Sequence, residues 1–124
     1  ILREPLERFI SAYKNRVLFH KDKGFKNHSV NEVIEKLENG NIENNHFLPQ
    51  CYFLGNDLSY FDIVGILSNI KVFEYKVNSF FGQKRNFPKL QTGGKGLKLN
   101  LSIDQKKKLT KIYCDDFELL SKYL

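Results

Sequence analysis

Apolar residues recur at helical spacing in the first stretch of the chain: Leu6, Phe9, Ile10, Tyr13 and Val17 stand at i, i+3, i+4, i+7 and i+11. Pro5 suits the first turn, so an amphipathic helix starts there with those five residues inward. Its opposite face carries Glu4, Arg8, Ser11 and Asn15. Ser29-Val-Asn-Glu32 is a capping box, which predicts a second helix from about Val30 to Glu38 with Val33, Ile34 and Leu37 inward and Asn39-Gly40 ending it. A second box, Ser102-Ile-Asp-Gln105, opens a helix that buries Leu109, Ile112 and Tyr113. That helix continues or bends into Phe117, Leu119, Leu120 and Tyr123.

Between these helices the pattern shortens. An Asn-rich loop over 39–46 leads to apolar Cys51-Tyr52-Phe53-Leu54, closed by Gly55-Asn56-Asp57 as a turn, with His46 at the junction of loop and apolar stretch. Ile70 to Tyr75 alternates with period two over its first residues and is the best strand signal in the chain. Residues 82–96, with Pro88 and three glycines within four positions, form a loop. Helices alternating with short strands predict an α/β protein.

At 124 residues the chain is one domain or a piece of one. Its 41% hydrophobic content, 27% charged residues and mean hydropathy of −0.43 describe a globular chain, not a disordered one. There is no apolar run long enough to span a bilayer and no signal-peptide layout. Met is absent, and the first residues read as the end of a buried strand running into a helix, which points to the C-terminal part of a longer protein. Cys51 and Cys114 are too few and too far apart for a disulfide scaffold or a zinc site.

Net charge is +6, which favours an anionic partner. The positive residues gather over 14–26, over 84–98 and at Lys106, Lys107, Lys108 and Lys111, the last group reading as a solvated helix face. Arg3 after an apolar strand end, with Ser11 on the polar side of the helix that follows, can hold a phosphate between a guanidinium fork, helix amides and a hydroxyl. The same residues also read as a surface arginine and a neutral helical serine. Gly93-Gly94-Lys95-Gly96 has the ingredients of a phosphate nest without P-loop spacing, and equally those of a flexible turn. His46 is a weak candidate for a base or an anion ligand. Glu4, Glu7, Asp62, Asp115 and Asp116 have no visible partner and are assigned structural roles. No cluster has metal-ligand spacing, so no metal is expected.

Residues 2–15, with Arg3-Glu4-Pro5, Arg8, Phe9, Ser11 and Tyr13 in register, closely resemble the 3′-phosphate-binding motif of sulfotransferases that use 3′-phosphoadenosine-5′-phosphosulfate (PAPS). His46-Phe-Leu-Pro-Gln50 is similar to the H-x-x-P-Q stretch of carbohydrate and bacterial members. Tyr113-Cys-Asp-Asp-Phe117 is similar to their Y-x-x-D-F signature, and Asn100-Leu-Ser102 fits before the final helix. The resemblance implies the C-terminal part of a P-loop-like three-layer fold, a parallel sheet flanked by helices. It further implies that residues 1–124 form one sulfotransferase domain without its N-terminal phosphosulfate loop.

By the same resemblance Arg3 and Ser11 bind the cofactor's 3′-phosphate, Gly94, Lys95 and Gly96 lie in a loop closing over the nucleotide, and His46 shapes the site wall. The partners implied are PAPS and an acceptor, a carbohydrate by this reading, with no nucleic acid and no membrane contact. The compartment implied is the cytoplasm for a bacterial-type member and the Golgi lumen for an animal-type one. Two other readings compete: a small basic nucleic-acid-binding domain stacking bases on Tyr and Phe, and an inactive sulfotransferase-like scaffold. Against the first, Phe9, Tyr13, Phe53, Phe73 and Phe117 are expected on buried faces.

Overall fold

The structure, a computed structural model, describes residues 1–41, 43–88 and 93–123. Of the loop expected over 82–96, residues 89–92 therefore lie outside the description, as does Ile42 of the Asn-rich loop. The helices are α1 (Pro5–Ala12), which runs on into a π-helical segment (Tyr13–Phe19), α2 (Val30–Glu38), α3 (Gln50–Leu54), α4 (Ile70–Phe81), α5 (Ile103–Ile112) and α6 (Cys114–Ser121). Single 3₁₀ turns cover Asn45–Phe47 and Leu67–Asn69.

The expected α/β architecture, with a parallel sheet flanked by helices, is overturned. Among the described residues β pairing is confined to one isolated parallel bridge, Leu2 with Ile66. The Leu2 N–H donates to the Gly65 carbonyl at 2.7 Å, and the Leu67 N–H donates to the Leu2 carbonyl at 2.8 Å. Ile70 to Tyr75 belongs to α4, not to a strand. Its alternation covers too few residues to separate a period of 2.0 from one of 3.6. Over the whole of α4 the less exposed positions are Ile70, Phe73, Glu74, Val77 and Asn78, a helical stripe, and Gly82 at φ +61° ends the helix in the left-handed region. Cys51 to Leu54 likewise lie in α3.

The helices expected from capping do form. Pro5 occupies the first turn of α1, and the Glu4 carboxylate accepts from the Glu7 N–H at 2.6 Å. In both capping boxes the serine hydroxyl accepts from the N3 amide at 3.2 Å and the N3 side chain returns to the serine N–H. The main core packs α1, α2 and α5 around Phe9, Val33, Ile34, Phe47, Leu109 and Tyr113. A second cluster joins Leu2 and Leu58 to Leu119 and Leu120 of α6. Of the aromatics expected inward, Phe9 and Tyr13 are buried, whereas Phe73 and Phe117 are half-buried and Phe53 is 52% exposed. The latter three do not support the burial argument against stacking platforms.

Candidate functional site

Arg3 stands where the bridged residue Leu2 turns into α1, and its main chain is gripped from both sides by one side chain. The Gln50 Oε1 accepts from the Arg3 N–H at 2.9 Å and the Gln50 Nε2 donates to the Arg3 carbonyl at 2.8 Å. The Arg3 side chain is not similarly satisfied: its Nε is buried and has no hydrogen-bond partner among the described residues. Buried donors in folded proteins are paired almost without exception, so a bare one leaves room for an acceptor beyond the described residues.

Gln50 is held in turn. Its main-chain N–H donates to Asp116 Oδ2 at 2.7 Å, and the neighbouring Cys51 N–H donates to Asp116 Oδ1 at 2.8 Å. Asp116, 1% exposed, thus caps the N-terminus of α3, where Pro49 supplies no side-chain cap. Two further bonds tie the same segment down. Arg8 Nη1 donates to the Leu48 carbonyl at 2.6 Å, and the buried Tyr113 hydroxyl donates to the Phe47 carbonyl at 2.7 Å. Phe47 itself packs against Phe9 and Phe25, with ring centroids 5.7 and 5.3 Å away. Residues 3–8, 47–51 and 113–116, from three separate motif stretches in the sequence, are therefore one hydrogen-bonded unit.

Ser11 is half-buried on α1, one turn after Arg8 and one turn before Asn15. It lies eight positions after Arg3, in the second turn of α1, whereas Arg3 precedes the helix at its N-terminal end. The glycine loop seats beyond Ser11. Asn15 Nδ2 donates to the Gly93 carbonyl at 3.3 Å, and Gly94, at φ +81°, lies so close to the Lys14 main chain that a Cβ would meet it at 3.0 Å. Gly94 is buried in this contact while Lys95 and Gly96 are exposed. Lys14 and Asn15 belong to the π-helical segment, whose wider turn is of a kind that recurs at functional sites.

His46 is held by a different set of partners. Its main-chain N–H donates to Asn44 Oδ1 at 3.0 Å, and Asn44 Nδ2 reaches Asp22, which pairs with Arg16 at 2.6 Å. Partial burial of the imidazole lowers its pKa from the usual 6.5; nearby Arg16, and more weakly Arg8 and His20, add to this while Asp22 opposes it. The Cys51 thiol is pushed up to about 11, first by burial and then by its hydrogen bond to Asp116, and so carries no thiolate at neutral pH.

The structure brings the glycine loop to the Ser11 end of α1 and places Arg3 at the other end with Gln50. His46 instead faces Arg16, Asp22, Arg8 and His20. Gln50 and Asp116 went unassigned as site residues from the sequence, although both fall inside the H-x-x-P-Q and Y-x-x-D-F stretches. The signal was present as a motif, and what was missing was the fold that makes them partners. Two shallow grooves of about 670 and 520 Å³ lie along α4 and are lined by neither Arg3, Ser11 nor the glycine loop. Among the described residues no group of three or more His, Cys, Asp or Glu side chains could hold a metal ion, and no helix is long and apolar enough to cross a membrane.

No curated protein and no solved structure gave a significant match to the chain. Residues 1–123 match the family model described as the sulfotransferase family. That match spans the clamped Arg3, the Gln50 segment, the glycine loop and Asp116 together, and the chain belongs to the sulfotransferase family.

Proposed function

We propose that the protein moves a sulfuryl group from PAPS to a hydroxyl or amine of an acceptor, a carbohydrate by preference, and that Arg3 and Ser11 bind the 3′-phosphate of the nucleotide. The observation that carries this reading is the buried, unpartnered Nε of an arginine whose main chain is fixed on both sides. A phosphate oxygen supplies the missing acceptor, and a charge-assisted bond to a planar guanidinium is the strong and directional kind. Ser11 adds a hydroxyl donor from α1, the helix that Arg3 precedes. Lys95 and the Gly94 and Gly96 backbone are assigned to the nucleotide from the far end of α1, where the loop docks on Lys14.

In the transfer the acceptor oxygen or nitrogen attacks sulfur in line. The sulfur–oxygen bond to the 5′-phosphate breaks, and 3′-phosphoadenosine-5′-phosphate departs. Such a step needs orientation and cations facing the developing oxyanion more than a protein nucleophile. The residues assigned here orient the nucleotide, and the acceptor's proton is not assigned to any of them. The overall charge of +6 suits both the phosphates and an acidic glycan acceptor. The free thiols of Cys51 and Cys114 fit a reducing compartment, which favours the cytoplasm over the Golgi lumen.

The test is calorimetric binding of 3′-phosphoadenosine-5′-phosphate against 5′-AMP, which lacks the 3′-phosphate, with Arg3→Ala and Ser11→Ala as controls. A marked preference for the first ligand that both substitutions erase supports the reading. No preference in the wild type overturns it in favour of an inactive scaffold or a nucleic-acid-binding domain.

A further inference from the structure

We infer that Gln50 and Asp116 are positioning residues for Arg3, a relay that sets the guanidinium for the nucleotide's 3′-phosphate; this rests on the reading of Arg3 given above. A side chain that only filled space between α1 and α3 would need neither a donor nor an acceptor. The Gln50 carboxamide uses both at once, on the N–H and the carbonyl of the same residue, at 2.9 and 2.8 Å. A glutamate or a hydrocarbon of the same size cannot do this, because each lacks one or both partners. Gln50 is 8% exposed, so the pairing is shielded from competing water.

The carboxamide is itself anchored by Asp116. One carboxylate oxygen takes the Gln50 main-chain N–H at 2.7 Å and stands 3.5 Å from Gln50 Nε2, so it orients the amide end as well as the backbone. The other oxygen takes the Cys51 N–H at 2.8 Å. The chain of contacts runs from a buried carboxylate in α6, through one amide side chain, to both polar groups of the Arg3 peptide. It ends at a guanidinium whose Nε is buried and unpaired. Fixing the main chain at Arg3 fixes where its side chain departs. The cost of ordering that arginine is then met on folding, before any ligand arrives.

The consequence is specific to the 3′-phosphate. The test compares binding of 3′-phosphoadenosine-5′-phosphate and of 5′-AMP by calorimetry on the full chain, for wild type, Gln50→Glu and Asp116→Asn, with thermal melting of each protein. Gln50→Glu keeps an acceptor for the Arg3 N–H but loses the donor and sets a second charge beside Asp116. Should that charge prevent folding, the neutral Gln50→Met takes its place. The expected result is a fall of about tenfold in the preference for the 3′-phosphorylated ligand with 5′-AMP affinity unchanged, the size of one good charge-assisted contact. A preference retained in both variants, or an equal loss of both ligands, overturns the inference and leaves a structural pair. Absence of any preference in the wild type overturns instead the reading of Arg3 on which it rests.

Discussion

Gln50 at the start of α3 and Asp116 in α6 meet at 2.7 Å, main-chain N–H to carboxylate oxygen, across 66 residues of sequence. The bond closes the first turn of a five-residue helix that has no cap of its own, and the Cys51 N–H shares the same carboxylate. A helix this short is not self-supporting, so its place in the fold depends on such contacts.

Replacing Asp116 with alanine strands the buried Gln50 N–H and removes the acceptor of the Cys51 N–H. Hydrogen bonds to a charged group contribute about 1.5–3 kcal/mol each, and two lost together set an expected destabilisation of about 3–6 kcal/mol. Urea unfolding of Asp116→Ala measures it. A change inside about 0.5 kcal/mol, the range of ordinary surface substitutions, would show that water replaces the carboxylate.

Tyr113→Phe probes the same unit from the other side. The Tyr113 hydroxyl is buried and donates to the Phe47 carbonyl at 2.7 Å. Burial drives its pKa far above the usual value, a little further because of Asp116, while Arg8 pulls against it. The phenol therefore stays a neutral donor throughout the working pH range. Removing it leaves a carbonyl without its partner and is expected to cost about 1–2 kcal/mol in urea unfolding. The ring and its packing remain, so a much larger loss would mean that the core around Phe47 rearranges.

His46 gives a pH dependence whose sign is fixed. Burial, and then Arg16, lower its folded pKa below 6.5, its unfolded value. The stability it contributes is fully present above pH 6.5 and is lost as pH falls through the lowered folded value, because the unfolded chain takes up the proton first. Nuclear magnetic resonance titration of the His46 ring is expected to give a midpoint below 6.5. In Arg16→Gln the midpoint should move up, since a cation is removed and Asp22 is released from its 2.6 Å pair. A midpoint at or above 6.5 in the wild type contradicts this arrangement.

What could be read from the chain alone divides by range. Pro5, Ser29 with Glu32, and Ser102 with Gln105 act within one turn, and each starts a helix where its spacing said it would. The buried faces of α1 and α2 follow from residues three and four apart. At 70–75 the local signal misled, because a few alternating residues fit a strand and the 12-residue helix is visible only in the longer window to Gly82. Arg3 and Ser11 were legible as candidates because their motif is continuous. The clamp was not, because Gln50 lies 47 residues from Arg3 and Asp116 lies 66 from Gln50. No local rule connects residues at that separation; only the packing of α3 on α6, beside the chain that enters α1, does.

The glycine loop offers a comparison between two positions with nearly the same backbone. Gly94 has φ +81° and Gly96 has φ +90°, conformations that L side chains rarely adopt, so alanine is strained at either. At Gly96 nothing lies within 4 Å of an added Cβ, and the cost is the backbone term alone, about 1 kcal/mol. At Gly94 the Cβ would also press on the main-chain carbon and oxygen of Lys14 at 3.0 Å, atoms of a helix that cannot turn aside as a flexible side chain would. Gly94→Ala is therefore expected to be the more harmful, by about 1–2 kcal/mol in unfolding, within the usual range for overpacking. It should also loosen the seat on Asn15 that carries Lys95. Hydrogen exchange at the Leu97 amide reports the seat directly, because the Leu97 N–H closes the turn onto the Gly94 carbonyl at 3.1 Å. Faster exchange in Gly94→Ala than in Gly96→Ala is the expected order. The reverse order would mean that the loop's contact with the π-helical segment does not hold it.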